Sequence, residues 1–168
     1  MTGEGKPGAV FDCNVYFQAT RNPKGPAAEL LRLLEADRFA LFLTSEIWEE
    51  VRATFTDQKV RAKNRGLTDG RIDALFQLVS QHAALRDHVP ERFACERDPD
   101  DAKYVNLALA AGAGYLVTRD KDLLDLMSEA PSEGASFSQQ FPGLTLLDPV
   151  AFLAVLRAKE KAEDAEQG

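Results

Sequence analysis

Ala9-Val10-Phe11-Asp12 is three apolar residues closed by a carboxylate. An apolar run this short, bounded by polar residues, reads as a strand buried on both faces. Similar runs recur at Phe39–Leu43, Tyr115–Thr118 and Leu144–Leu147, and a further short strand is expected near His88-Val89. Between them lie helical patterns. Pro26 to Asp37 opens on proline and repeats Leu30, Leu33 and Leu34 at helical spacing. Ser45 starts a helix with Ile47, Trp48, Val51 and Phe55 on one stripe, and Thr68-Asp69 opens another through about Ala84. A helix from Asp98-Pro99 is expected to stop at Gly112. Lys121 to Met127 forms a short helix, and a last helix starts at Pro149. Strands alternating with helices specify an α/β fold with a parallel sheet of about five strands.

Residues 1–8 are rich in Gly, Lys and Pro and read as a flexible tail. Residues 9–158 form a single domain, and the charged residues 159–168 form a C-terminal tail. Arg21 to Gly25 is a loop by composition, and Glu129 to Gly143 is expected to be the least ordered internal segment.

The chain has 168 residues, 45% of them hydrophobic and 28% charged, which is the balance of an ordinary soluble globule. With 27 acidic and 20 basic residues its net charge is −7, which argues against a generic basic nucleic-acid coat. It leaves room for a nuclease whose acids share a cation-filled pocket, because a bound divalent cation inverts the local field. Cys13 and Cys95 make no C-x-x-C pair, so a cytoplasmic home is expected. Residues 1–8 lack the apolar stretch of a signal peptide. Leu107 to Val117 is too short and too glycine-interrupted for a membrane helix.

In sheets of this kind ligands sit beyond the carboxyl ends of the strands. Asp12 ends the first strand and Asp120 follows the fourth, so two separate strands bring two hard oxygen donors to one rim, as Mg²⁺ or Mn²⁺ requires. On the helix from Ser45, Glu50 falls on the border of the apolar stripe, Glu49 points nearly opposite, and Glu46 lies about 140° from the stripe's centre. Glu50 alone is expected to lean over the sheet edge. Asp98 as N-cap, Pro99 and Asp100 are accounted for by helix initiation. Local rules leave Asp101 open between a first-turn acid and a site acid.

Four blocks carry a resemblance. Val10-Phe11-Asp12-x-Asn14-Val15, Ser45-Glu46-Ile47-x-x-Glu50-Val51, Arg97-Asp98-Pro99-Asp100-Asp101 and Leu116-Val117-Thr118-x-Asp120-x-Asp122-Leu123-Leu124 occur in the order and spacing of a PIN domain. More closely, the chain resembles VapC-like toxins of toxin–antitoxin pairs, from about Val10 to Leu147. The resemblance implies a three-layer α/β/α fold with strand order 3-2-1-4-5 and metal-dependent hydrolysis of RNA. It carries acidic ligands onto Asp12, Glu50, Asp101 and Asp120, with Asp122 as a fifth, and supporting polar roles onto Asn14 and Thr118. Asp101 is preferred to Asp100 because it begins the helix from Ala102 as the family's third acid does. Its expected partners are RNA, a small antitoxin and, as in many relatives, a second copy in a homodimer.

RNA must also meet positive charge. Lys59, Arg61, Lys63, Arg65 and Arg71 oppose only Asp57 and Asp69, a local net of +3. Arg21, Lys24, Arg119 and Lys121 flank the expected rim. These residues are expected to contact phosphates, although a solvated helix face explains the Lys59–Arg71 cluster almost as well.

Other signals are weaker. Gly3-Glu4-Gly5-Lys6-Pro7-Gly8 matches G-x-G-x-x-G but precedes the first strand, so it cannot seat a pyrophosphate on a helix. His82 and His88 have no partner motif, and no G-x-S-x-G is present. Cys13 reads as a small buried residue. A haloacid-dehalogenase-like phosphohydrolase would need a second Asp where the chain has Asn14. A catalytically silent PIN-like binding module is the other alternative.

Overall fold

The computed structural model describes residues 5–94, 99–128 and 136–167. Five parallel strands, β1 (Gly8–Phe11), β2 (Ala40–Leu43), β3 (Ala83–Leu85), β4 (Tyr115–Val117) and β5 (Thr145–Leu147), form one sheet in the order β3-β2-β1-β4-β5. This is the expected order. Ala9, Val10 and Phe11 are all buried, as a central strand covered on both faces demands. Val10 lies between Phe42 of β2 and Leu116 of β4.

Helices cover both faces in a three-layer α/β/α arrangement. α1 (Cys13–Arg21), α2 (Pro26–Glu35), α3 (Ser45–Thr56), α4 (Gln58–Lys63) and α5 (Asp69–His82) precede β3. α6 (Ala102–Ala111) lies across β1, β2 and β4. Right-handed crossovers put it on the face opposite α1 and α2. α7 (Lys121–Leu124) and α8 (Phe137–Gln140) lie between β4 and β5, and α9 (Pro149–Gln167) returns to pack on α2 and β4. Gly112 closes α6 with φ of 68°, a left-handed backbone that glycine adopts without steric cost.

Several elements differ from expectation. The third strand is Ala83–Leu85, not His88-Val89, and α5 stops at His82. The reason is tertiary: Leu41, Phe42 and Leu43 of β2 pair with Ala83, Ala84 and Leu85, and this outweighs the weak strand preference of Ala-Ala-Leu. His88 instead takes a positive φ of 61° in the loop beyond. The basic stretch after Asp57 contains α4, started by the Asp57 carboxylate, which accepts from the Lys59 and Val60 amides. Within the segment expected to be least ordered, Ser136 and Gln139 form a reciprocal capping box that starts α8. Gly8 opens β1, the Pro7 carbonyl accepts from Ala40 N at 2.9 Å, and Lys6 pairs with Asp37. The expected cap Asp98 lies outside the described residues, as does Cys95. Among the described residues no helix is long and apolar enough to cross a membrane.

Candidate functional site

Strand order reverses at β1: β2 and β3 lie to one side, β4 and β5 to the other. The crevice beyond the carboxyl ends of β1 and β4 is therefore the topological switch point, where such sheets bind ligands. Asp12 follows β1 and caps α1, its Oδ1 accepting from Asn14 N at 3.0 Å. Asp120 follows β4 and caps α7, its Oδ1 accepting from Asp122 N at 2.8 Å. One piece of local chemistry, a carboxylate at a strand-to-helix corner, thus serves twice at adjacent strands.

Thr118 ties the two corners together. It is fully buried; its hydroxyl donates to Asp12 Oδ2 at 2.7 Å and accepts from Asp120 N at 2.9 Å. Asp12 N in turn donates to Val117 O at 3.0 Å, continuing the ladder past the strand ends. Asp12 is only 4% exposed. Burial, the largest effect, pushes its carboxyl above the ordinary value, and the charge of Asp120 pushes the same way; the Asn14 amide, the Thr118 hydroxyl and Lys103 oppose them. Changing Thr118 to Val, which keeps the shape, leaves Asp12 Oδ2 and Asp120 N without this partner. The expected loss of stability is about 1–3 kcal/mol, read from the urea midpoint.

The opposite wall comes from α3 and α6. Glu50 pairs with Lys103, whose side chain is 18% exposed against 44% for Glu50. Tyr104 anchors α6 to the Asp12 corner by accepting from Cys13 N at 3.3 Å. Cys13 is half-buried with its sulfur 3.9 Å from Thr54 Oγ1, and burial pushes its thiol up. The residue is thus less buried than the sequence reading expects. Asp101 is buried where the turn Pro99–Asp101 meets α6, whereas Asp100 is exposed.

Beside Glu50 opens a cleft of about 550 Å³ whose charged lining includes Glu46, Glu50, Asp87, Glu91, Asp100 and Lys103. Glu46 shares this wall with Glu50, which corrects the expectation that Glu50 alone leans over the edge. The two are one helical turn apart, about 40° around the axis, so a cleft broad enough takes both. Glu49 is exposed beside Arg52, a surface charge as expected. Asp87 fixes the mouth: it accepts from Ser45 N and Ser45 Oγ, both at 2.8 Å, and these bonds hold its carboxyl below the ordinary value. Buried Asn106 holds the far wall, its Oδ1 accepting from Arg92 N and Phe93 N at 2.9 and 2.8 Å.

Asp12, Thr118 and Asp120 are thus joined directly, and Lys103 links Glu50 electrostatically to Asp12. Asn14 contributes its amide, while Asp122 is exposed on α7. Among the described residues, no three or more His, Cys, Asp or Glu side chains stand close enough together to hold a metal ion. Of the basic residues, Lys59, Lys63, Arg65, Arg119 and Lys121 are exposed. Arg61 is committed to Asp69 and the Leu67 carbonyl. Arg119 lines a second cleft of about 400 Å³ together with Arg21, which Gln18 holds at 2.9 Å.

Sequence reasoning misses Lys103. Its one signal is a positive charge in the first turn of a helix, where the dipole disfavours one. Asp87 leaves no local signal, because its partner lies 42 residues away.

No curated protein matches the chain. Among solved structures, it is similar to the VapBC2 complex of Rickettsia felis bound to a DNA fragment from its promoter, at 16% identity and a TM-score of 0.48 over 83% of this chain and 96% of that one. The family profile described as PIN domain matches residues 8–122, from the first residue of β1 to just past Asp120. The matched segment takes in every strand-end acid described above. The chain therefore belongs to the PIN domain family, whose members are generally nucleases that use divalent metal ions.

Proposed function

We propose that the chain is a Mg²⁺- or Mn²⁺-dependent endoribonuclease in which Asp12, Glu50, Asp101 and Asp120 are the catalytic acids and metal ligands, with Asp122 as a fifth ligand. The observation that carries this reading is the pair of carboxylates from β1 and β4 held at the switch point by one buried threonine. Their chemistry fits the metal: the donors are hard oxygens, and the most buried of them carries a charge that its surroundings disfavour. A divalent cation bound there supplies a lowered pKa for water and shields the phosphodiester charge.

The remaining work belongs to the chain itself. Thr118 and the Asn14 amide orient Asp12, so its oxygens need no reorganisation when substrate arrives. Arg119 and Lys121 flank Asp120 in the chain and steer the phosphate backbone, and the exposed Lys59, Lys63 and Arg65 offer further contacts to it. Arg61 shares the cluster, but its pairing with Asp69 gives it a mainly structural part.

We assign the protein the toxin role of a toxin–antitoxin pair, in keeping with its resemblance to VapC-like toxins. The acidic cleft beside Glu50 suits a basic segment of such an antitoxin. The haloacid-dehalogenase-like alternative lacks its second Asp, since the residue there is Asn14.

The test is cleavage of a mixed RNA pool by the purified chain and by Asp101→Asn. Cleavage is expected with Mn²⁺ or Mg²⁺, with none in EDTA and none from the variant. Cleavage that survives EDTA would refute the metal-dependent reading. Metal binding without any turnover would favour a silent binding module.

A further inference from the structure

Lys103 is the second residue of α6, where the positive end of the helix dipole repels an ammonium. Its side chain is nevertheless largely buried, with Nζ against Glu50 and 5.3 Å from the centre of the Tyr104 ring. It also acts on Asp12, whose ionised form it favours. Helix stability does not account for a lysine here. Its neighbours do, because it supplies positive charge between an acid of α3 and the acid that ends β1.

Glu50 is the α3 acid that the nuclease reading requires, and its Oε1 is engaged by the ammonium. A carboxylate oxygen paired with an ammonium is a poor ligand for a divalent cation, because the two cations repel at contact distance. The two cations compete for the negative charge of Glu50, and Oε1 is the oxygen the ammonium already holds.

We propose that Lys103 competes with the divalent cation for Glu50, so that the lysine sets a threshold on metal binding at the site. The proposal rests on the metal-dependent reading above. Metal entry draws Glu50 Oε1 away from Lys103, and the ammonium stays tethered two residues from Asp101. Lys103 is on this view a positioning residue for Glu50.

The test is calorimetric titration of Mn²⁺ into the full chain, with no RNA present. Lys103→Met is expected to bind Mn²⁺ roughly tenfold more tightly than the wild type, and Lys103→Gln similarly, whereas Lys103→Arg stays near the wild type. The gain is expected to vanish when Lys103→Met is combined with Glu50→Gln. That dependence is one a merely structural lysine would not show. Equal or weaker binding by both neutral variants, each folded by circular dichroism, overturns the competition. So does a gain of the same size in the Glu50→Gln background. Failure of every form, wild type included, to bind Mn²⁺ overturns the metal-dependent reading, and the competition with it. Wild-type binding that Lys103→Met does not alter overturns the competition alone.

Discussion

Asp12→Asn is expected, on the proposed nuclease reading, to lose RNA cleavage by about 10²–10³-fold, the scale for removing one preorganised electrostatic group, while melting at or above the wild-type temperature at pH 7. The stability half of this expectation follows from burial. Asp12 is almost wholly enclosed and faces the charge of Asp120, so its carboxyl holds its proton to higher pH in the folded chain than in the unfolded one. The sign is fixed by linkage: the folded state binds more protons above the unfolded pKa of about 3.9, so ionisation of Asp12 lowers stability as pH rises through the folded value. Asparagine removes that cost. It can still accept from the Asn14 amide, which keeps the start of α1 capped. Melting curves for both proteins between acid and neutral pH check this, with the advantage of the variant shrinking toward low pH. A variant that melts well below the wild type at pH 7 would mean that the carboxylate's bonds to Asn14 and Thr118 outweigh its burial.

Phe152→Ala is expected to cost about 3–5 kcal/mol, the largest single effect on stability, seen as a fall in urea midpoint at unchanged slope. Phe152 is fully buried on α9; its ring centre stands 5.3 Å from that of Phe39, just before β2, and 5.2 Å from that of Tyr115 on β4. It joins the last helix to strands on both sides of β1. Removing the ring leaves a cavity between two rigid aromatic partners that cannot collapse into it.

The parts of the fold that are legible in the residues alone are those written in local physics. Ala9 to Phe11 announces a central strand because its residues must be apolar to lie between two helical layers. The Ile47, Val51 and Phe55 stripe announces α3, and all three are buried. The strand order comes from the family resemblance, since periodicity says nothing about which strands are neighbours. What stays hidden is set by distant partners. β3 is a strand because β2 lies beside it, not because Ala-Ala-Leu prefers to be one. In the candidate site, Asp12 and Asp120 are legible as strand-end acids. The closure of the site by Asp87 across to Ser45, and by Lys103 across to Glu50, is not, because each pair joins separate segments of chain.

Asp12 and its threonine lie 106 residues apart. A ribosome making this chain has therefore completed β1, β2 and β3 well before Thr118 and Asp120 exist to join the first acid. Until β4 emerges and docks alongside β1, the nascent polypeptide presents one carboxylate without its mate. The two strand-end acids can thus meet only late in synthesis, once β4 has paired with β1.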